Sequence, residues 1–224
     1  MFAEVAPGYD RANRTLSLGI DRRWRRKTVA TVAVVPGERG LDVCSGTGDL
    51  AFALHSAGAL VTGVDFCAPM LQRATVKPAE TANVPRPVFG CADAMALPFA
   101  AATFDFATVA FGIRNVAEPR VALREMARVV RPGGRVVVLE FTWPRVPVLA
   151  GAYRFYFRRV LPWLGGLVNG QKTDAYRYLH DSVMAFPERE AFLDVMRASG
   201  LQSPRFQLLT GGIAAIYRGE VGDR

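Results

Sequence analysis

An apolar strand running into a glycine-broken loop and then into a helix constrains this chain more than any other stretch. Leu41-Asp-Val-Cys-Ser-Gly-Thr-Gly-Asp49 has that form, and Leu50-Ala-Phe-Ala-Leu54 opens the helix. Glycines at 46 and 48 allow backbone N–H groups to approach a ligand closely. Val61-Thr-Gly-Val-Asp65 then reads as a second strand ending in a carboxylate, which suits the two hydroxyls of a ribose. The loop has neither a G-x-G-x-x-G pattern nor a lysine after its glycines, so dinucleotide and triphosphate binding fit poorly. A nucleoside with a small polar tail is left.

The remaining elements alternate, as they do in a parallel sheet covered by helices. Helices are predicted over residues 69–74, 121–130 and 188–199. Strands are predicted over 87–91, 104–111 and 135–141, with a closing hairpin over 205–209 and 213–217. Pro132-Gly-Gly134 is the expected stop of the 121–130 helix. Residues 142–187 are too many for a simple connection and read as an insertion.

With 224 residues, half of them apolar, the chain can bury one sizeable core. No repeat, secretory signal or apolar run of membrane-spanning length is visible. Cys44, Cys67 and Cys91 form no C-x-x-C pair, which fits free thiols in a reducing, cytoplasmic compartment. They are expected to be small buried hydrophobes, at least one of them beside the ligand. No metal-binding pattern is present. The net charge of +8 comes almost wholly from arginine. Arginine-favouring codon usage accounts for it as readily as a functional basic surface does.

Ligands of such sheets bind beyond the carboxyl ends of the strands, where strand order reverses. That rule gathers the loop after Val43, Asp65, Asp93 and Phe111-Gly-Ile-Arg-Asn115 around one crevice. Asp93 either accepts from an adenine amino group or shapes a turn. Asp49 either caps the helix or faces a cationic group of the ligand. His55 is expected to face solvent.

Taken together, these residues resemble the ubiquinone and menaquinone biosynthesis C-methyltransferases, from Phe2 to Gly219. Tyr9-Asp10, Asn13, Ser17, Gly19, Arg22 and Trp24 fit the amino-terminal signature, and residues 41–49 the cofactor loop. Ala96-Leu-Pro-Phe99 and Phe104-Asp105 fit the segment behind the adenine. Phe111-Gly-Ile-Arg-Asn115 is the most discriminating piece. Arg128-Val-Val-Arg-Pro-Gly-Gly134, Leu139-Glu-Phe141, Tyr176-Arg-Tyr-Leu179, Ser182 and Phe186-Pro187 complete the set. Departures are Asp21 where the family usually has His, Ala12 for Met, Ala110 for Ser and Thr142 for Ser.

The resemblance implies a single α/β domain over residues 1–224 with a Rossmann-like, class I S-adenosylmethionine-dependent methyltransferase fold. Its sheet would be seven-stranded and mostly parallel, with a C-terminal antiparallel hairpin, a helical cap over about 1–36 and a helical lid over about 142–187. Thr47, Asp65, Asp93 and Ala94 would contact S-adenosyl-L-methionine, with Ala110 contributing its backbone or a wall, and the loop residues Gly46, Gly48 and Asp49 join them from the residue pattern of the loop. Tyr9, Phe111, Tyr176, Tyr178 and Ser182 would line the site of a polyprenylated quinol. His180 reads as a solvated helix-face residue, since the family motif does not require it. The same resemblance leaves room for a homodimer.

Carbon methylation of a quinol requires electron density on a ring carbon, and a phenol of pKa near 10 is mostly neutral at neutral pH. A nearby cation favours the phenolate. Arg114 is the candidate, with Asn115 orienting the quinol oxygen. Arginine stays protonated, so its expected role is charge stabilisation. The alternative is that Arg114 only pairs with an acid such as Glu118.

Residues 141–173 contain no Asp or Glu, yet hold five basic residues (Arg145, Arg154, Arg158, Arg159 and Lys172) and seven aromatics. That mixture suits either a lid at an anionic bilayer interface or an ordinary helical lid with an aromatic core. Arg22-Arg-Trp-Arg-Arg-Lys27 either adds to membrane attraction or is a solvated helix face. Peripheral attachment at the inner face of the cytoplasmic membrane is the corresponding expectation. A nucleic-acid methyltransferase would also be basic, but no appended RNA-reading motif is present. A non-catalytic cofactor-binding subunit is the remaining rival.

Overall fold

The computed structural model describes residues 19–78, 84–145, 151 and 181–223. Strands β1 (Arg39–Val43), β2 (Leu60–Asp65), β3 (Val88–Cys91), β4 (Phe104–Ala110), β5 (Val130–Phe141), β6 (Leu201–Leu209) and β7 (Ala214–Val221) form one sheet. Its order is β3-β2-β1-β4-β5-β7-β6, with parallel pairing from β3 to β5 and antiparallel pairing of β7 with β5 and β6. The strand order reverses between β1 and β4. The crevice at the carboxyl ends of those two strands is therefore the expected ligand position.

The helices are α1 (Ile20–Val32), α2 (Asp49–Ser56), α3 (Ala68–Val76), α4 (Pro119–Val129) and α5 (Glu190–Ala198). In α1 the buried residues are Asp21, Trp24, Thr28 and Val32, a spacing of three or four that makes one inner face. The central strands are buried on both sides, which explains their continuous apolar runs. In β5, Val136 and Val138 join a core with Leu123, Met126, Phe192 and Met196, while Val137 and Leu139 join Trp24, Leu50 and Leu54 on the other face. Helices α4 and α5 thus cover one face, and α1 and α2 the other.

The hairpin strands reach four residues further than expected, β6 from Leu201 and β7 to Val221, and the junction of α4 with β5 also differs from expectation. Helix α4 spans Pro119–Val129, and β5 begins at once with Val130. Val130 pairs with Phe104 and Arg135 with Phe106, so residues 131–134 form an irregularity in which Gly133 has φ +71°. Pro132 and the two glycines thus shape a bulged strand entry. His55 is fully buried and its Nε2 lies 3.1 Å from the Val84 carbonyl oxygen, where solvent was expected. The chain before β3 returns over α2 and covers it, a contact that helical periodicity cannot reveal. Residues 1–18 of the cap and most of the insertion lie outside the described residues.

Candidate active site

The glycine loop is held by its own backbone and by two carboxylates, Asp42 buried and Asp65 half-buried. Ser45 N–H donates to the Val64 carbonyl at 2.9 Å, and Gly48 N–H to the Ser45 carbonyl at 2.8 Å. Gly46 N–H donates to Asp65 Oδ2 at 2.8 Å, and Cys67 N–H to Asp65 Oδ1 at 2.7 Å. The N–H groups of both glycines therefore bond within the protein, instead of reaching for a ligand. Asp65 knits the loop to the end of β2, and its carboxylate keeps acceptor capacity beyond these backbone donors. Burial raises its pKa, and the N–H bonds from Cys67 and Gly46 oppose that shift.

Beneath the loop, Asp42 is 1% exposed, and accepts from Thr108 Oγ1 at 2.8 Å and Ser45 Oγ at 2.9 Å. Burial pushes its carboxyl up to about 6, against the two hydroxyl bonds. Sequence reading passed over this residue because it sits inside an apolar strand. The signal was the charge itself, one residue before the strand's last apolar position.

A cavity of about 420 Å³ opens at the strand ends between β1, β2 and β4. Such a volume lies within the range of small-molecule sites. Gly46, Asp65, Asp93, Ala94, Ala110, Phe111 and Asn115 all line it, as the sequence predicts. Phe66, Met70 and Met95 add apolar surface that sequence reading missed, although Phe66 directly follows the strand-ending acid and is 83% exposed. Asp93 Oδ1 accepts from Met95 N–H at 2.8 Å, so its turn-shaping role and its place on the cavity wall coexist.

Thr47, Gly48 and Asp49 are not among the lining residues. Thr47 is buried. Gly48 has φ +81°, and a Cβ there would meet the Phe89 ring at 2.9 Å, so packing and conformation account for this glycine. Asp49 makes no capping bond; it pairs with Lys77 Nζ at 2.6 Å and lies 3.6 Å from the Arg25 guanidinium. Its charge is balanced by these two side chains. Cys44 and Cys67 line the cavity and are half-buried, whereas Cys91 is exposed. The expectation of three buried thiols thus fails: Cys44 and Cys67 sit where the ends of β1 and β2 open into the crevice, and Cys91 is exposed outside it.

Phe111-Gly-Ile-Arg-Asn115 forms the turn after β4, with Ile113–Asn115 as a single 3-10 turn. Phe111 has φ +56°, and its ring packs 4.4 Å from that of Phe141 and 6.0 Å from that of Trp24. Phe111, Gly112 and Asn115 face the cavity; Arg114 is not among its lining residues. The Arg114 guanidinium donates to the Phe111 carbonyl at 2.6 Å and to Glu140 Oε1 at 2.7 Å. Arg114 thus pairs with a buried acid, and that acid is Glu140 on β5 instead of nearby Glu118. Burial raises the Glu140 pKa, opposed chiefly by the Arg114 charge.

Ser182 is described and half-buried, but is not among the cavity-lining residues. Tyr9, Tyr176, Tyr178 and His180 lie outside the described residues. Among the described residues no group of three or more His, Cys, Asp or Glu side chains could hold a metal ion. Likewise, no helix is long and apolar enough to cross a membrane.

In fold, the chain is similar to a Haloferax volcanii methyltransferase in complex with its Trm112 activator, at TM-score 0.69 and 17% identity over 100% of this chain and 98% of that one. It is also similar to Haemonchus contortus phosphoethanolamine N-methyltransferase 2 in complex with S-adenosyl-L-methionine, at TM-score 0.61 and 13% identity over 88% of this chain and 53% of that one. These likenesses establish the class I methyltransferase fold. Demethylmenaquinone methyltransferase of Thermus thermophilus is 50% identical over 100% of both chains. The ubiquinone/menaquinone biosynthesis C-methyltransferase UbiE of Bdellovibrio bacteriovorus is 48% identical over 99% of this chain and 94% of its own. A model of the ubiE/COQ5 methyltransferase family matches residues 1–220. With that match over nearly the whole length, joined to the strand-end cavity and the Phe111 to Asn115 turn on its wall, the chain belongs to the ubiE/COQ5 methyltransferase family.

Proposed function

We propose that this chain transfers a methyl group from S-adenosylmethionine to a ring carbon of a polyprenylated quinol, a demethylmenaquinol-type naphthoquinol, a benzoquinol or both. One observation carries the reading: Phe111, Gly112 and Asn115 line the same cavity as Asp65 and Asp93. The residues we assign to the nucleoside and the motif that sets this family apart therefore share one wall.

The residues present fit the cofactor. Asp65 retains acceptor capacity that suits ribose hydroxyls, Asp93 and Ala94 are assigned to an adenine edge, and Phe66, Met70 and Met95 offer apolar surface for its faces. Gly46 leaves open space, since a Cβ there would meet nothing within 4 Å. When bound, S-adenosylmethionine supplies an electrophilic methyl group. In our assignment Asn115 orients a quinol oxygen at the cavity wall, and Arg114 favours loss of that hydroxyl's proton through its positive charge. Guanidinium basicity keeps Arg114 from acting as the base.

The exposed face of α1 supports an anionic membrane surface as partner. Arg22, Arg23, Arg26 and Lys27 are exposed there, while Trp24 on the inner face packs against cavity-lining Phe111. A cationic face so close to the site suits a substrate dissolved in lipid. Flotation with anionic vesicles, lost on neutral ones and weakened by salt, is the expected result; no binding to either removes this partner. For the reaction itself, the purified protein is incubated with S-adenosylmethionine and each reduced, demethylated quinol. Methylation of neither ring type would overturn the proposal.

A further inference from the structure

We propose that Glu140 is a positioning residue for methyl transfer, acting through Arg114 on the turn that carries Phe111 and Asn115. The proposal rests on the quinol-methylating reading of that turn. Glu140 follows Val136 and Val138 on the same face of β5, and its side chain is 1% exposed. Its Oε1 accepts from the Arg114 guanidinium at 2.7 Å and from Phe141 N–H at 2.9 Å. The same guanidinium nitrogen donates to the Phe111 carbonyl at 2.6 Å, and Asn115 Nδ2 reaches that carbonyl at 3.4 Å. A carboxylate on β5 therefore fixes the cation that fixes the cavity wall.

The wall needs such support because Phe111 has φ +56°, a left-handed conformation that side chains disfavour. Strained residues persist where their surroundings over-determine them. Here the Phe111 N–H donates to the Leu139 carbonyl at 2.8 Å, its ring stacks on Phe141, and its carbonyl is gripped by Arg114. Gly112 presses the turn against the glycine loop, since a Cβ there would meet Cys44 Cβ at 2.3 Å. The two halves of the site thus touch, and a shift of the Arg114 guanidinium moves both Asn115 and the junction between them.

Stability alone is a weak reason for this pair. Buried ion pairs are often matched by apolar residues of similar volume, and among the described residues Glu140 Oε2 and Arg114 Nε have no hydrogen-bond partner. A purely electrostatic view gives the opposite consequence from positioning: removing a negative charge beside Arg114 would favour a phenolate and speed turnover. Positioning demands that turnover fall.

The test uses the full chain with reduced, demethylated naphthoquinol and benzoquinol carrying short prenyl tails. E140Q gives up the negative charge that holds the guanidinium in place although an amide oxygen remains, and should lower kcat per folded enzyme at least 10-fold while the Kd for S-adenosylmethionine, read by calorimetry, stays within threefold. E140D, which restores the charge one methylene short, should recover part of the loss. R114M and R114M/E140Q should be equally slow, because Glu140 acts through Arg114. E140Q turnover within threefold of wild type, or faster, overturns the assignment, as does a double variant slower than R114M by the full E140Q factor. Should E140Q yield no folded protein, the comparison of R114M with R114M/E140Q decides alone. Wild-type protein inactive on both quinols would instead remove the parent reading.

Discussion

Arg114 and Glu140 lie 26 residues apart in sequence and 2.7 Å apart in space, with side chains 8% and 1% exposed. They meet because β4 and β5 are parallel neighbours, so the turn after β4 and the end of β5 share one edge of the sheet. Removing one member leaves the other charged and buried. Arg114→Ala should therefore cost roughly 3–5 kcal/mol of stability in urea unfolding, besides any loss of turnover. A change below about 1 kcal/mol would mean that water reaches the remaining carboxylate.

Asp42 should make stability depend on pH in an unusual direction. Its folded carboxyl, raised to about 6 by burial, stands above the ordinary 3.8, so between those values the folded protein holds a proton that the unfolded chain has released. The stability it contributes is complete below the unfolded value and is lost as pH rises through about 6, a change of roughly 3 kcal/mol. Asp42→Asn cannot titrate. The difference in unfolding free energy between wild type and this variant should shift in the variant's favour from pH 4 to pH 7, and a pH-independent difference would contradict the burial of a single charge.

Asp65→Ala removes the acceptor assigned to the ribose and also the anchor of the Gly46 and Cys67 N–H groups. Hydrogen bonds to charged groups contribute about 1.5–3 kcal/mol, so calorimetry should show S-adenosylmethionine binding weakened roughly 10- to 150-fold. Affinity within threefold of wild type would place the ligand elsewhere.

Gly48→Ala should destabilise the fold by about 1–3 kcal/mol, because Gly48 combines φ +81° with a Phe89 ring 2.9 Å from any Cβ. Thermal unfolding reads the loss. Gly46→Ala meets no neighbour within 4 Å, so its cost is confined to its φ of +56° and to cofactor affinity. Equal unfolding losses at both positions would contradict this division.

The thiols give a readout of occupancy. Cys67 lines the cavity and Cys91 is exposed, while burial pushes the Cys44 thiol up and keeps it protonated. Alkylation should be slow at Cys44, fast at Cys91, and slowed by S-adenosylmethionine at Cys67. Labelling of Cys67 at the same rate with and without the cofactor would count against the cavity as its site.

Elements held by contiguous residues were legible in the sequence. Leu41 to Val43 and Val61 to Val64 are apolar runs that end in glycine or acid, so strand, loop and second strand could be read in order, and with them Gly46, Asp65 and Asp93 on one wall. Phe111-Gly-Ile-Arg-Asn115 was equally plain as a motif. The tertiary structure alone decided what those residues touch. It turned the glycine N–H groups inward onto Asp65 and Ser45, gave Asp49 to Lys77, buried His55 under the returning chain, and paired Arg114 with Glu140 instead of Glu118. The physical reason is range: backbone conformation and hydrophobic period are local properties, whereas the partner of a charge is set by strand order, which joins residues that are distant in the chain.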